Sequence, residues 1–319
     1  MNRITNFSLR VKLTTGLVVI AIFPLLMLSK LFSLGSEDAL RKSTLAQLSM
    51  SAEYKVGEIH LFLETLKTNT TDFASDGFIK NELISITKGL SSAQSLNNHL
   101  RQNKLPAQSD LMFIDVVNAH GLIIASTLTH RIGRNLSGQL YFQNGLSQSY
   151  VAKFNHNANL PLLGVIAAPI LSADKKQLTL GVLVNHYRMN KIQDLFSGEL
   201  LFNLGAKSEH RILSASEAIY MLTSEGEGIT TSKNALIKNQ QPFTFDTHPI
   251  RQALHFNRES KGVWKNHLGT SVLGVSIIAK IDGLEFILLA EQELVQAFQL
   301  VNTLKYQFYL VLIVTVSII

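Results

Sequence analysis

Hydrophobic and polar positions divide this chain into three regimes. Near-continuous apolar runs lie at the two ends, and between them the apolar residues recur first with a helical period and then with a strand period. The first run spans Leu13 to Leu34 (LTTGLVVIAIFPLLMLSKLFSL); the second begins at Tyr306 (YQFYLVLIVTVSII) and is still apolar at Ile319. A hydrocarbon core about 30 Å thick takes about 20 helical residues to cross. The first run therefore predicts a transmembrane helix over 13–34, and the second the start of another over 306–319, cut short. Lys30 can extend its amine toward the headgroups and Pro24 is tolerated within a span. No convincing small-x-small cleavage site follows before Ser36, so an uncleaved anchor is expected rather than a signal peptide.

Ser36 is the expected N-cap of the next helix, with Glu37 and Asp38 in its first turn. Leu45, Leu48, Ala52, Val56, Ile59, Leu63, Leu66 and Phe73 then recur mostly three and four residues apart. That spacing predicts one long stalk helix over 36–75, suited to packing on a sheet and to pairing with a second copy. Residues 77–105 read as helical and polar, ending at Pro106. The period then shortens to two. LMFIDVV (111–117) and GLIIAST (121–127) predict strands around a turn at Asn118–Gly121, and Leu163–Ile170 and Leu178–His186 predict two more, joined by a polar turn at 172–176. A loop-rich insertion is expected at 128–160. A shorter copy of this plan follows, with strand, glycine turn and strand over 218–232 and strands within 263–279 and 284–292. Helical spacing returns at 294–308. The fold class is α+β, a long N-terminal helix plus two antiparallel-sheet modules flanked by membrane helices.

Charge settles the orientation more than the function. The formal net charge is +6, but Arg3, Arg10 and Lys12 cluster before the first apolar run while the remaining basic residues are scattered. The cluster places residues 1–12 in the cytoplasm by the positive-inside rule, and the scatter argues against nucleic acid as a partner. Residues 36–305 are thereby expected on the periplasmic or extracellular side of a bacterial inner membrane. There is no cysteine, which excludes disulfides and thiolate metal sites, and the ten histidines form no H-x-x-x-H, H-E-x-x-H or H-x-H cluster; no cofactor and no metal are expected. The nucleophile elbow G-x-S-x-G, the phosphate-binding P-loop and the dinucleotide fingerprint are absent, so the chain is not read as an enzyme.

The arrangement resembles the double Cache sensors of bacterial signalling receptors. Six segments carry the likeness in order over about residues 36 to 305: FIDVVNAHGLIIAST, RIGRNLSGQLYFQNGL (131–146), AAPIL (167–171), GVLVNHY (181–187), AIYMLTSEGEGITTS and LEFILLAEQELVQAF. The resemblance implies two PAS-like modules, a membrane-distal one over 76–208 and a membrane-proximal one over 209–295, with an exit helix over 296–305. It also implies a small-molecule sensor, dimeric, feeding a cytoplasmic histidine kinase, diguanylate cyclase or phosphodiesterase, or chemoreceptor.

The same resemblance singles out candidate ligand residues. In the amino-acid-binding members an arginine forks the ligand carboxylate and a late aspartate takes its ammonium. Aligned on RNLSGQLYFQNG, the motif falls on Arg134, Gln139, Tyr141, Phe142 and Gly145, with glutamine in place of the arginine, and the late aspartate falls on His186. Both charge partners of an α-amino acid are missing, which disfavours that ligand class. Arg131 and Arg134 near a histidine suit an anionic group such as a carboxylate. Phe154, Ala168 and Tyr187 are further pocket candidates. The competing reading makes Arg131 and Arg134 solvated loop charges and His186 a satisfied strand residue.

Overall fold

The computed structural model describes residues 9–152, 154, 162–172, 178–197, 217–230 and 246–318. Its first element, α1 (Leu9–Ser75), runs unbroken for 67 residues with Pro24 inside it, about 100 Å at 1.5 Å per residue. Ser36 therefore lies within a helix and caps nothing, because the chain continues helically from the first apolar run. The expected spans at 13–34 and 306–319 fall in α1 and in the final helix, where several side chains lie outside the described ones. Leu13, Val19, Ile20, Phe23, Met27 and Leu31 of α1 are exposed. Among the described residues, no helix is long and apolar enough to cross a membrane.

From residue 44 onward α1 has a buried seam. Thr44, Leu48, Ala52, Lys55, Ile59, Leu63, Leu66, Thr70 and Phe73 follow one another at intervals of three or four and are all buried. The polar members of the seam sit where α1 meets other elements. Lys55 donates to the carbonyl of Leu195 at 2.6 Å, and Thr70 and the Tyr187 hydroxyl are 3.2 Å apart.

After α1 come α2 (Gly77–Thr87) and α3 (Ala93–His99), followed by a π turn at Leu100–Lys104 and a 3₁₀ turn at Leu105–Ala107 that contains Pro106. Asp76 caps α2 by accepting from the amides of Phe78 and Ile79. Lys104 pairs with the same carboxylate at 2.5 Å. Burial alone would raise the pKa of Asp76, but Lys104, the Phe78 amide and His99 outweigh it and hold the carboxyl at about 2.

The first module is a five-stranded antiparallel sheet of β1 (Leu111–Asn118), β2 (Ile123–Ser126), β3 (Tyr150–Val151), β4 (Leu163–Leu171) and β5 (Thr179–Arg188), in the order β2-β1-β5-β4-β3. Helix α4 (Leu140–Gly145) lies in the insertion before β3, and α5 (Asn190–Ser197) follows β5. The expected turn at 172–176 falls largely outside the described residues. The second module is four-stranded: β6 (Glu217–Thr223), β7 (Ser260–Lys265), β8 (Ser271–Ile281) and β9 (Leu284–Glu293), in the order β6-β9-β8-β7, with α6 (His248–Phe256) on one face. Its order repeats β1-β5-β4-β3, as the internal repeat predicts. The strand expected to follow the turn at Gly226 is reduced to a bridge between Leu222 and Gly228, and residues 231–232 of that segment lie outside the described residues. Strands β8 and β9 join through Asp282 and Gly283, both at positive φ (52° and 79°), the signature of a two-residue type I′ hairpin. The short α7 (Leu294–Ala297) leads into α8 (Gln299–Ile318), and Lys305 of α8 forms an ion pair with Glu37 of α1.

One hydrophobic cluster joins both modules. It contains Ile166, Ala168 and Ile170 of the first sheet, Val275, Ala279 and Phe286 of the second, and Leu48, Ile59, Leu63 and Leu66 of α1. The opposite face of each sheet carries a separate, smaller cluster under α4 or α6.

Candidate functional site

Strand alternation sorts the first sheet into two faces. On β5, Leu183 and Tyr187 point to the helix side, while Val182 and Val184 join the cluster under α4. His186 shares the face of Val182 and Val184. On β1 it pairs across from Phe113, and Asp115 pairs across from Val184. Phe113, Asp115 and His186 thus meet on the face away from α1, on the two central strands.

Asp115 is fully buried, and three side chains bond to it. Arg131 grips it as a fork, Nε donating to Oδ2 at 2.9 Å and to Oδ1 at 3.1 Å, and Nη2 donating to Oδ2 at 2.7 Å. The Ser126 hydroxyl donates to Oδ1 at 2.7 Å, and His186 Nε2 lies 3.2 Å from Oδ2. An ionised carboxylate only accepts, so Nε2 carries the proton in this contact. Burial alone would raise the pKa of Asp115; the bonds from His186 and Arg131 outweigh it and hold the carboxyl below its ordinary value. His186 moves the other way for a base: burial depresses its pKa by more than Asp115 raises it. The resting cluster is therefore a carboxylate, a guanidinium and a neutral imidazole, with no net charge. Phe113 stacks on the imidazole, ring centroids 3.9 Å apart, and the Arg131 guanidinium sits over the same ring at 4.8 Å.

The backbone after β2 explains how Arg131 reaches this place. The chain folds back along β2, with the Ile123 amide donating to Arg134, the Gly133 amide to Ile123 and the Leu136 amide to Gly121. Gly121 is at φ +89°, and a Cβ there would lie 2.6 Å from the Ser137 amide nitrogen, so only glycine lets the two segments touch. Arg101 clamps the start of the loop through the Thr127 carbonyl and the Thr129 hydroxyl. Helix α4 then crosses the face at Gly145, where a Cβ would meet Ala167 at 2.8 Å and Val182 at 2.9 Å. It brings Phe142 into the cluster beneath and leaves Tyr141 half-buried beside it. Burial raises the pKa of the Tyr141 hydroxyl, Arg131 opposes the rise and Asp115 adds to it, which places the hydroxyl in the field of both charges.

Solved structures similar to this chain include ligand-binding and sensor domains. The ligand-binding domain of the Pseudomonas aeruginosa PAO1 amino acid chemoreceptor PctB, in complex with L-Arg, is similar at 11% identity, with a TM-score of 0.52, over 81% of this chain and 98% of that one. The ligand-binding domain of the Pseudomonas fluorescens chemoreceptor CtaA with L-leucine is similar at 12% identity and a TM-score of 0.51, over 82% and 99% of the two chains. The sensor domain of the Vibrio cholerae histidine kinase DctB gives 13% identity and a TM-score of 0.51, over 79% and 98%. The chain has a double Cache fold. No family model matches the chain, and no curated protein matches it in sequence.

Within this double Cache fold the sequence-derived candidates separate into three groups. Arg131, Tyr141, Phe142 and His186 come together on the outer face of the first sheet. Arg134 and Gln139 are exposed on the loop rim, and it is the Arg134 carbonyl, rather than its side chain, that holds the loop. Ala168 and Tyr187 lie on the opposite face, within the core around α1. The register sends every second residue of β4 and β5 to that face, so neither shares a surface with His186. Phe154 also packs against that core and stacks on Phe286 of the second module at 5.5 Å. Asp115 is the centre of the cluster and was not among the candidates, nor were Phe113 and Ser126. Its signal was present: a single carboxylate inside the apolar strand FIDVV must find partners once buried.

Proposed function

We propose that this chain is the extracytoplasmic ligand-sensing region of a membrane-bound signalling receptor, with the ligand held in the distal module between α4 and the outer face of the sheet. The observation that carries the reading is the Asp115–Arg131–His186 cluster under α4 in a double Cache fold. Such a cluster costs desolvation that packing alone does not require. Arg131 and Tyr141 are suited to a ligand carboxylate, the group common to the L-Arg and L-leucine held by the PctB and CtaA domains. An amino acid remains disfavoured. The one acid and the one arginine in the cluster are bonded to each other, so no charge stands ready for an ammonium. A carboxylate entering here would compete with Asp115 for the guanidinium and shift the α4 loop by its differential affinity for the two arrangements.

Anchorage in the membrane is part of the proposal. The apolar run at 13–34, the exposed apolar side chains of α1 and α8, and the Glu37–Lys305 pair that holds the two helices together support it. The signal would leave through α1 or α8 toward a kinase, cyclase, phosphodiesterase or chemoreceptor output. A homodimer is proposed along α1, where Met50, Tyr54 and Leu61 are exposed with Gly57 among them, at the spacing of a helix-pairing stripe. Met50→Glu combined with Leu61→Glu should give a monomer by light scattering; an unchanged mass would remove this interface.

A thermal-shift screen of the full chain against small carboxylates tests the ligand reading. A hit should raise the melting temperature of the wild type and of Arg134→Ala but not of a folded Tyr141→Ala variant. A shift retained in Tyr141→Ala would sink the distal assignment. A second reading, a structural ectodomain that binds nothing, draws support from the saturation of both Asp115 oxygens by protein donors. Under that reading the screen gives no hit at all.

A further inference from the structure

The proximal module carries a cleft that the distal ligand reading leaves unused. It has a volume of about 480 Å³ and opens between the N-terminus of α6 and the β7–β8 turn. Asp246, Thr247, His248 and Arg251 line one side, and Lys265, Asn266, His267 and Gly269 line the other. Asp246 is the single acid in this lining, against two permanent cations.

Three features of the cleft converge on an anion. The first turn of α6 leaves the amides of His248 and Ile250 without intrahelical acceptors, Pro249 having no N–H and the Arg251 amide donating to the Thr247 carbonyl, and the helix dipole adds a partial positive charge there. Thr247 occupies the N-cap position yet makes no cap bond. Its side chain is only 6% exposed, and its hydroxyl has no hydrogen-bond partner. An N-cap threonine ordinarily spends its oxygen on an amide of the following turn. A buried hydroxyl left without a partner is destabilising, and an acceptor arriving in the cleft would remove that cost. Arg251 supplies charge but is engaged at present, Nη1 donating to Asp246 Oδ1 at 2.7 Å. That pair is solvent-exposed, with 49% and 80% of the two side chains accessible, so it is weak and easily exchanged.

The β7–β8 turn is held rigidly for the same purpose. Asn266 Oδ1 accepts from the amides of Leu268 and Thr270, both at 3.0 Å, and Gly269 takes φ +78°. With its Oδ1 so engaged, Asn266 turns its side-chain Nδ2 into a donor on the cleft wall, and Lys265 stands at the end of the preceding strand. His267 packs edge-on against Tyr220 at 5.8 Å, which closes the inner wall with an aromatic pair.

We propose that this proximal cleft is a second binding site, for a small free oxyanion of the phosphate or carboxylate class, held by the Thr247 hydroxyl, the first turn of α6, Arg251 and Lys265. It is separate from the distal site and does not depend on it. Inorganic phosphate and acetate are the probes, added to the full chain in detergent. Trp264, the single tryptophan, lies in the proximal module and reports its melting by fluorescence. Phosphate stabilises folded proteins generally by exclusion from their surface, so the differences between variants carry the result.

The stabilisation by phosphate or acetate should be greater in wild type than in Thr247→Val or Arg251→Ala. It should persist in Tyr141→Ala, whose alteration is confined to the distal site. Asp246→Asn frees Arg251 from its competitor and should tighten binding about tenfold, the equivalent of one charge-assisted hydrogen bond. Equal stabilisation of wild type, Thr247→Val and Arg251→Ala would overturn the proposal, as would an Asp246→Asn variant that binds no more tightly. Should Arg251→Ala fail to fold, the Asp246→Asn comparison decides alone. Saturation by phosphatidylglycerol vesicles without any effect of free phosphate or acetate would assign the cleft to a lipid headgroup and overturn the free-oxyanion assignment.

Discussion

Asp115 and His186 form a pair in which one group is held charged and the other neutral, and the difference has a consequence in pH. The folded-state pKa of His186 is depressed, with burial the largest cause, so between that value and its unfolded value of about 6.5 the unfolded chain binds the extra proton. Stability therefore falls as the pH drops below about 6.5. The folded-state pKa of Asp115 is also depressed; its contribution is complete above about 3.9 and is lost as the pH falls through the folded value. The two act in the same direction in successive windows. Urea denaturation as a function of pH should show stability declining from about pH 6.5 downward. His186→Gln, which keeps a donor near Asp115 but cannot titrate, should flatten the upper part of that decline. A variant with the wild-type slope between pH 6.5 and pH 4 would show that His186 is not the group responsible. What the sequence could and could not convey is visible in the same pair. Arg131, Tyr141, Phe142 and His186 were readable because residue type and motif position mark them. Asp115 became the centre only when the register placed it beside Val184 and under the returning loop, a pairing no local pattern encodes.

At the level of elements, period was a dependable guide and termini were not. The α1 seam from Leu48 to Phe73 follows the sequence closely because the helix buries one face, and the alternation of β4, β5, β8 and β9 sorts their residues between two covered faces, one against the shared core and one under α4 or α6. Ser36 misleads because an N-cap residue is a signal only where the preceding chain leaves the helix, and here the helical run from the first apolar segment does not stop. Ala168 and Tyr187 were placed in a pocket by their motif, but the period-two alternation of their own strands sends them to α1. The short helix α4 shows how much a single residue can govern an element. It rests on the sheet at Gly145, with Ala167 and Val182 too close for any side chain. Gly145→Ala must lift α4 or push the sheet, an overpacking change that costs about 1–3 kcal/mol. The expected result is a folded protein with a lowered urea midpoint and a weakened response to any distal ligand, because Tyr141 and Phe142 move with the helix. A variant with unchanged stability would mean that α4 is not seated as described.

At the scale of the whole molecule, the two sheets share a core through α1 rather than forming two closed domains. Ile166, Ala168 and Ile170 of the first sheet belong to the same cluster as Val275, Ala279 and Phe286 of the second. The Phe154–Phe286 stack ties the modules directly, and Lys67 of α1 is salt-bridged to Asp282 in the β8–β9 turn at 2.9 Å. A domain with its own core would melt by itself, whereas modules that lean on one helix lose part of their packing when either is damaged. The position of the single tryptophan makes this testable, since Trp264 lies in the second sheet. Ile170→Ala removes a fully buried side chain from the first sheet's part of the shared core, a cavity substitution worth about 2–5 kcal/mol. If the core is shared, the unfolding transition followed by Trp264 fluorescence moves to lower urea and coincides with the transition seen by far-ultraviolet circular dichroism. Two separate transitions, with the Trp264 transition unmoved by a distal cavity, would show that the modules unfold independently. Shared packing is also what the proposed sensing function requires. A rearrangement beneath α4 can alter α8 only if the strands between them are mechanically continuous with α1, and Ile170 sits where that continuity begins.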